Sequence, residues 1–227
     1  MCGIHALISS TGHRKPDQKL QKLLCKRGPD HIGHENVQVD CKNGDSYWIS
    51  LTSTVLALRG GTVTAQPFID SSTQSSFCWN GEAWKIGSEA VDGINDGQVI
   101  FASLIRASSA QNTAAEAVAE TLKVLRSIAG PFAFFFLDKV HSQVYYGRDR
   151  LGRRSLLTRM RGGDMEFASI ADSVDDGWCE VEADGIYHIS LSEIHRQPED
   201  ESASELKFTS KSYSWDEENT LVRECRV

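Results

Sequence analysis

The sequence lacks the features that would place the protein in a membrane, outside the cell or around a metal ion. Its apolar runs all fall short of the roughly 18 residues that span a membrane. Its N-terminus has no charged region followed by an apolar stretch, so we expect no secretory signal. It has no Cys-x-x-Cys pair, and His31 and His34 have no second pair of ligands near them, so we expect no metal site.

Positive charge is also scarce. Lys and Arg total 24 against 31 Asp and Glu, which gives a net charge of -7. This balance argues against nucleic acid or an anionic membrane as the main partner. Six arginines between Arg148 and Arg161 could still form a nucleic-acid patch, although no aromatic residue interleaves their densest part. We expect a cytoplasmic protein with no nucleic-acid and no membrane partner.

The cysteines do not require a disulfide framework. Their number, six, is even and would allow pairing. However, a chain of 227 residues that is 40% hydrophobic can form a core without such cross-links. We therefore expect reduced thiols, as in the cytosol.

Residue periodicity predicts strands and three helices. The helices are expected where apolar residues recur at helical spacing, at Asp17–Lys26, Gly97–Ala107 and Ala114–Ile128. Thr113 and Glu116 form a capping-box pattern ahead of the third helix. The second and third helices are consecutive, which favours an α+β fold with two mainly antiparallel sheets between helices. The expected strands are Gly3–Ser9, Tyr47–Leu58, Ser76–Asn80, Pro131–Asp138, Gln143–Asp149, Met165–Ile170 and Ile186–Leu191.

The composition changes near residue 196. Beyond Arg196, two acidic triplets, Glu199–Glu201 and Asp216–Glu218, lie in a Ser-rich stretch. Such a segment is typical of a tail or linker, and we expect it to be mobile. The sequence thus predicts a domain over residues 2–195 and a tail over residues 196–227.

Cys2 is a candidate N-terminal nucleophile, because it follows Met1 directly. If Met1 is removed, Cys2 carries a thiol and a free α-amine, a nucleophile and a base in one residue. The amine ordinarily titrates near pKa ~7.7–8.0 and the thiol near ~8.5, so both can exchange protons close to physiological pH. A cysteine at position 2 can also occur by chance, so its interpretation as a nucleophile depends on the other motifs.

Five polar clusters contain further candidate residues. Each has a structural alternative: Asn-Gly is a strong hairpin-turn signal, Asn95 or Asp96 can cap a helix, and Arg59 can be a surface charge. In the third cluster, an Asn amide and the next backbone N–H could point at a single oxygen atom. The clusters are Arg27-Gly28-Pro29-Asp30, Leu58-Arg59-Gly60-Gly61, Trp79-Asn80-Gly81-Glu82, Asn95-Asp96 and Gly147-Arg148-Asp149 through Leu157.

The order of these clusters resembles the glutaminase domain of class II glutamine amidotransferases, in the asparagine synthetase branch. The sequence runs from Met-Cys-Gly-Ile through Arg-Gly-Pro-Asp, Gln66-Pro67, Asn-Gly-Glu and Asn-Asp to Gly-Arg-Asp-x-x-Gly. The resemblance covers roughly residues 2–192. It implies the four-layer αββα fold of N-terminal-nucleophile hydrolases, so that residues 2–195 would be a type-2 glutamine amidotransferase domain.

The resemblance also implies a reaction and a role for each site residue. The domain would hydrolyse the side-chain amide of glutamine through a cysteine thioester, without a cofactor. The ammonia would pass to a synthetase domain, in cis or in trans, for asparagine synthesis. ATP and magnesium are expected only there, because this chain has no Ser-Gly-Gly-x-Asp-Ser pyrophosphate loop. The implied catalytic residues are Cys2, Asn80 and Gly81, and the implied substrate-binding residues are Arg59, Glu82 and Asp96.

Several departures from the family pattern keep alternatives open. Ala83-Trp84-Lys85 stands where asparagine synthetases often have Ile-Tyr-Asn, and Ser155 stands where many have proline. With the missing synthetase half, these changes favour a catalytically degenerate amidotransferase-like interaction module as the alternative. An N-terminal-nucleophile peptidase is disfavoured, because paired carboxylate and ammonium anchors select a free amino acid. Met1 bears on the choice, since it acylates the Cys2 amine while attached.

Overall fold

The structure is a computed structural model, and it divides the chain into helices and many strands. It describes residues 1–58, 62–91, 95–196, 206–216 and 223–226. The helices are α1 (Gln18–Arg27), α2 (Asp96–Ser109), α3 (Ala114–Arg126) and a short 3-10 helix (Leu191–Glu193). In the described ranges, none of the helices has the length and apolar character needed to cross a membrane.

The strands form two large antiparallel sheets. The first has the spatial order β13–β11–β12–β1–β3–β2, and the second has the order β18–β17–β14–β10–β9–β5–β4. Two small sheets, β7–β6–β8 and β15–β16, complete the described part. The strands are β1 (Gly3–Ser9), β2 (His31–Asp40), β3 (Ser46–Val55), β4 (Phe68–Ile69), β5 (Ser76–Gly81), β6 (Lys85–Ile86), β7 (Glu89–Ala90), β8 (Ile128–Ala129), β9 (Phe132–Asp138), β10 (Gln143–Arg148), β11 (Leu157–Arg161), β12 (Asp164–Ala168), β13 (Cys179–Glu180), β14 (Gly185–Ser190), β15 (His195–Arg196), β16 (Leu206–Lys207), β17 (Thr209–Ser214) and β18 (Arg223–Arg226).

The strand that follows Cys2 lies in the middle of the first sheet. β1 pairs with β3 from Gly3↔Thr54 onward and with β12 on its other side. Alternate residues of a strand face opposite sides, so Ile4, Ala6 and Ile8 all enter the core between the two large sheets. Pairing on both edges and burial of one face therefore fix the position of the chain's first residues.

Helices cover the outer faces of both sheets. Leu20 and Leu24 of α1 pack in a small cluster on the first sheet. Ile100 and Leu104 of α2 and Leu125 of α3 pack with aromatic residues of the second sheet. The layers therefore follow the order helix, sheet, sheet, helix, in agreement with the predicted αββα architecture.

Residues 206–216 pack against the domain, so the predicted mobile tail is wrong for this part of the chain. β17 forms an antiparallel ladder with β14 in the second sheet. Trp215 is 5% exposed, its indole N–H donates to Ala183 O at 3.1 Å, and its ring meets the edge of Phe132 at 5.8 Å between centroids. Local composition misled the prediction, because a few apolar side chains among serines and acids are enough to anchor a strand.

Trp215→Ala is expected to lower the free energy of unfolding by about 3–5 kcal/mol, the usual cost of deleting a buried Trp ring. Trp84→Ala is the matched control: the Trp84 ring is half exposed, so its loss should cost much less. Urea denaturation of both variants measures the difference. An equal loss of unfolding free energy in the two variants would show that Trp215 does not anchor residues 206–216. Rapid proteolysis of these residues in the wild-type protein would likewise support the prediction of a mobile tail.

Candidate active site

A narrow cleft opens where β1, β3, β5 and α2 come together. Its volume is about 90 Å³, and Cys2 lies at it beside the end of β5. Five of the six predicted site residues line this cleft, namely Cys2, Asn80, Gly81, Glu82 and Asp96. The sixth, Arg59, lies outside the described residues, and the described segment that precedes it, Val55–Leu58, lines the cleft.

Cys2 is held at the cleft by α1 and by the segment that follows β3. Its half-buried thiol lies 3.9 Å from Leu56 O, and its carbonyl accepts a hydrogen bond of 3.3 Å from Arg27 Nε. A Cβ added at Gly3 would lie 2.5 Å from Thr54 Oγ1, so the residue after the cysteine must be glycine. The pairing of Gly3 with Thr54 in the first sheet thus anchors the backbone next to the thiol.

Asn80 lies in a strand and not in a hairpin turn. It pairs with Ala133 of β9 in the regular register of the second sheet. The side chain is buried, with 1% of its surface exposed, and Asn80 Nδ2 has no hydrogen-bond partner among the described residues. An unpaired buried donor costs about 1–3 kcal/mol, so a hydrogen-bond acceptor that reached this amide would offset that cost.

The backbone N–H of Gly81 points to the same side of β5 as the cleft. Neighbouring amides in a strand point in opposite directions. Glu82 N bonds to Pro131 O on the β9 side, and Trp79 N bonds to Gln66 Oε1 on the other side. Gly81 N–H shares the direction of Trp79 N–H, toward the cleft that Gln66 lines. A Cβ at Gly81 would lie 2.6 Å from Phe132 Cβ, so only glycine fits there.

Asp96 presents a fixed carboxylate to the cleft from the start of α2. Asn95 caps the helix by accepting a hydrogen bond from Gln98 N at 3.1 Å. Asp96 Oδ2 accepts hydrogen bonds from Trp79 Nε1 at 3.0 Å and from Ala83 N at 2.7 Å. The predicted cap and the predicted ligand role therefore belong to two adjacent residues. With Glu82, Asp96 makes one end of the cleft negative, which suits an ammonium group.

The Arg-Gly-Pro-Asp motif fixes the segment that leads into Arg59. Asp30 N donates to Val55 O at 3.0 Å, and Asp30 Oδ2 accepts from Ala57 N at 2.8 Å. Gly28 packs so tightly on the backbone of Thr54 that a Cβ there would lie 2.4 Å from Thr54 C. Sequence analysis identified the motif but not this bracing role, which depends on contacts between residues 27 positions apart.

The Gly147–Leu157 motif braces a loop through its buried Arg148 and Asp149. Arg148 is buried and donates to the carbonyl oxygens of Gly152, Arg154 and Val181. Asp149 is buried and accepts hydrogen bonds from Arg153 and from backbone N–H groups on both sides of it. These bonds hold the loop against the cleft, where Arg154 contributes to the lining.

Two guanidinium groups lie beside the N-terminus. Arg27 Nη2 and Arg154 Nη1 are 4.0 Å and 3.5 Å from Met1 Sδ. Burial is the main cause that lowers the pKa of the Met1 α-amine from its usual 8.0; the charge of Cys2 opposes this, and Arg27 and Arg154 lower the pKa further. The neighbourhood therefore favours the unprotonated form of the Met1 amine.

Comparison with known proteins identifies the family. A family model for a glutamine amidotransferase domain matches residues 1–217. The chain belongs to the glutamine amidotransferase domain family. The matched range also includes the described residues 206–216, in keeping with their packing on the second sheet.

The amidotransferase domain resembles one part of longer curated proteins. It is 34% identical over 201 residues to asparagine synthetase domain-containing protein 1 of Bos taurus, covering 84% of this chain and 29% of that protein. The Mus musculus protein of the same name is 33% identical over 201 residues, covering 85% of this chain and 29% of the relative. The chain thus spans less than a third of the length of these relatives.

Solved structures confirm the predicted fold. The glutamine phosphoribosylpyrophosphate amidotransferase of B. subtilis superposes with a TM-score of 0.58 at 16% identity, covering 96% of this chain and 50% of that one. A structure described as the allosteric regulatory enzyme of purine biosynthesis gives a TM-score of 0.60 at 16% identity, covering 95% of this chain and 49% of that one. The amidotransferase domain therefore has the N-terminal-nucleophile hydrolase fold with two antiparallel sheets.

Among the described residues, no group of three or more His, Cys, Asp or Glu side chains is arranged to hold a metal ion. The residues that sequence reasoning missed at the cleft are Gln66, as the partner of Trp79 N, and Arg154. Gln66-Pro67 and the arginine-rich motif were both conspicuous in the sequence. Local sequence does not reveal the hydrogen-bond partner of Gln66. It also does not reveal that Arg154 lies on the side of the loop that faces the cleft.

Proposed function

We propose that the domain is a glutaminase that releases ammonia from the side-chain amide of glutamine through a thioester on Cys2. The observation that carries the proposal is the buried Asn80 Nδ2, which has no partner among the described residues and lies at the same cleft as the thiol. A free donor next to a nucleophile is what an acyl-transfer reaction needs, because negative charge develops on the carbonyl oxygen under attack.

In this mechanism the two ends of glutamine orient its amide. Arg59 would hold the α-carboxylate, since a planar guanidinium matches two carboxylate oxygens. Asp96 and Glu82 would hold the α-ammonium. The side-chain amide then lies over the Cys2 thiol, with its oxygen toward Asn80 Nδ2 and Gly81 N–H. Support comes from the shared cleft and from the two hydrogen bonds that fix Asp96.

The proton transfers follow from a free Cys2 α-amine, which requires removal of Met1. The amine takes the thiol proton, and the thiolate attacks the amide carbon to form a C–S bond. Collapse of the tetrahedral intermediate breaks the C–N bond, and the ammonium on Cys2 gives its proton to the departing ammonia. Water, deprotonated by the same amine, then attacks the thioester and releases glutamate and the thiol.

The acceptor of ammonia would be a synthetase domain that is not in this chain, supplied in cis or in trans. The proposal rests on the name of the curated relatives and on the small share of their length that this chain spans. ATP and magnesium would act there, in the activation of aspartate, and not in the cleft described here.

A catalytically degenerate interaction module is the second candidate. In such a module the proposed base would be missing while Met1 remains attached, because the peptide bond acylates the Cys2 amine. The departure at Ala83-Trp84-Lys85 does not favour it strongly, because Ala83 contributes its backbone N–H to Asp96 and Trp84 is half exposed. An intact Met1 in the mature protein, detected by N-terminal sequencing, would support the module.

The deciding experiment measures glutamate release from glutamine by protein whose terminus is verified as Cys2. The control is the same chain with Met1 retained, because both forms share every contact beyond the first residue. We expect turnover only in the processed form. If the processed, folded protein releases no glutamate, the glutaminase proposal fails and the interaction module replaces it.

Arg154→Gln is expected to shift the pH dependence of kcat/KM for glutamine. The acid limb reports loss of a proton from the base of the free enzyme, here the Cys2 amine. Removing a nearby positive charge stabilises the ammonium form and raises the pKa of the amine. The limb should therefore move to higher pH, by on the order of half a pH unit, and activity below the limb should fall.

Arg150→Gln provides the control for this shift. Arg150 is in the same loop but pairs with Asp216 and bonds to Trp215 O, and it does not line the cleft. Its removal should leave the acid limb in place. If the acid limb of Arg154→Gln lies at the same pH as that of the wild type, or if both variants shift it equally, Arg154 does not act on the base.

A further inference from the structure

The indole ring of Trp79 is held in one position beside the cleft. The residue is 3% exposed, and its ring stacks on Phe132 at 5.1 Å and on Phe77 at 5.7 Å between centroids. Two glycines leave room for the ring. A Cβ added at Gly81 would lie 2.8 Å from Trp79 Cζ2, and one added at Gly97 would lie 3.2 Å from Trp79 Cδ1. These close contacts fix the direction in which the indole N–H points.

The Trp79 N–H donates to a carboxylate at the cleft. A buried indole N–H usually finds an acceptor, and Trp79 Nε1 lies 3.0 Å from Asp96 Oδ2. Trp215 belongs to the same aromatic cluster, but its N–H donates to a backbone carbonyl, Ala183 O, at 3.1 Å. A backbone acceptor would also have satisfied the Trp79 N–H. The bond to Asp96 differs because it orients a side chain that lines the cleft.

Both hydrogen bonds to the Asp96 side chain fall on one oxygen atom. Oδ2 accepts from Trp79 Nε1 and, at 2.7 Å, from Ala83 N. Among the described residues, none donates to Asp96 Oδ1, and the side chain is partly exposed where it lines the cleft. Because a carboxylate oxygen accepts about two hydrogen bonds, the two donors occupy Oδ2 and leave Oδ1 for a ligand.

One short segment holds both groups that the proposed reaction needs. Trp79 and Ala83, the first and last of residues 79–83, donate to Asp96. Asn80 and Gly81 lie between them and line the same cleft. This segment therefore sets the separation between the amide end and the ammonium end of the cleft. The Trp79 N–H is the contact that ties its first residue to Asp96.

We propose, on the basis of the glutaminase function proposed above, that Trp79 is a positioning residue for substrate specificity. Its N–H holds the Asp96 carboxylate so that Oδ1 receives the α-ammonium of glutamine. The cleft then selects amides that carry an α-ammonium over the same amides without one. If the N–H is absent, Ala83 N alone holds Oδ2, the carboxylate is free to rotate, and part of the ammonium contact is lost.

The test compares two ligands that differ only in the ammonium group. L-Glutamine has this group, and glutaramate keeps the carboxylate and the side-chain amide but has hydrogen in its place. Ligand-observed NMR measures binding to the full chain with Met1 removed and Cys2→Ala, so that no turnover takes place. In this background Trp79→Phe is expected to raise the Kd of L-glutamine by about tenfold, the order for one hydrogen bond to a charged group, and to leave the Kd of glutaramate within about twofold.

Trp215→Phe is the matched control. It deletes the same N–H group from the same aromatic cluster, but that N–H donates to Ala183 O and not to Asp96. It should leave both dissociation constants unchanged, and circular dichroism confirms that each variant is folded. The proposal is wrong if Trp79→Phe weakens both ligands equally, or if Trp215→Phe weakens L-glutamine as much, because the ring then acts only as part of the core.

A second measurement uses the unsubstituted ring and does not depend on the folding of a Trp79 variant. The protein has five Trp residues, and two-dimensional NMR of isotopically labelled protein resolves their indole N–H groups. The Trp79 resonance should shift on saturation with L-glutamine and much less with glutaramate. An equal response to both ligands would overturn the role of Trp79.

The outcomes separate this role from the glutaminase function itself. If the Cys2→Ala parent does not bind L-glutamine, the glutaminase proposal fails and the role of Trp79 fails with it. If the parent binds L-glutamine and folded Trp79→Phe binds it equally well, only the role of Trp79 is wrong.

Discussion

Cys2→Ala is expected to reduce glutamate release by about 10⁴-fold or more, to the background of the assay, because no other group in the mechanism can form the thioester. Cys2→Ser should also be severely impaired, since a hydroxyl is much harder to deprotonate than a thiol. The fold should persist in both variants. Among the residues that the structure describes, the half-buried thiol has one hydrogen-bond contact, a long one of 3.9 Å to Leu56 O, so thermal unfolding should change little.

Cys25→Ala is the matched control for the nucleophile. Cys25 is also a half-buried free cysteine, but it lies on α1 and does not line the cleft. Its substitution removes the same sulfur atom and should leave activity near that of the wild type. Activity within about tenfold of the wild type in Cys2→Ala would end the amidotransferase mechanism for this domain, whatever the family relationship.

The elements predicted well from sequence are those whose burial follows a simple period. Thr113 and Glu116 form the predicted capping box, with Glu116 N bonded to Thr113 Oγ1 at 3.3 Å and Thr113 N to Glu116 Oε2 at 3.2 Å. β9 (Phe132–Asp138) lies within the predicted strand Pro131–Asp138 and is buried along its length. β2 (His31–Asp40) escaped prediction because it is the edge strand of its sheet and buries only Val37 and Val39.

The residues proposed for catalysis were easier to identify from the sequence than the residues that support them. Cys2 and Asn80-Gly81 carry chemistry in their residue types, and the structure brings them to one cleft. The residues that support the site are of common types, and their roles depend on partners far away in the sequence. Arg27 contacts Cys2 O across 25 positions, and Trp215 reaches Ala183 across 32. No local pattern encodes such pairs, which is why the packing of residues 206–216 was missed.

Asn80→Asp is expected to lower kcat for glutamine by about 10²–10³-fold, equivalent to the ~2.7–4 kcal/mol of one oxyanion-hole donor. The change replaces a donor with a carboxylate that faces the developing negative charge. The loss should fall mainly on kcat, because the charge develops only in the transition state. Thermal unfolding is measured alongside, because Asn80 is 1% exposed and a buried carboxylate has a cost of its own for stability.

Asn95→Asp separates a specific loss from a general effect of negative charge. Asn95 lines the same cleft, and aspartate caps a helix about as well as asparagine, so this variant adds the same charge and keeps α2 intact. A loss of kcat much larger in Asn80→Asp than in Asn95→Asp assigns the effect to the oxyanion. Equal losses would indicate general electrostatics. An unchanged kcat with unchanged stability would leave Asn80 a structural residue, because a donor that contacts the transition state cannot be replaced by an anion without slowing the reaction.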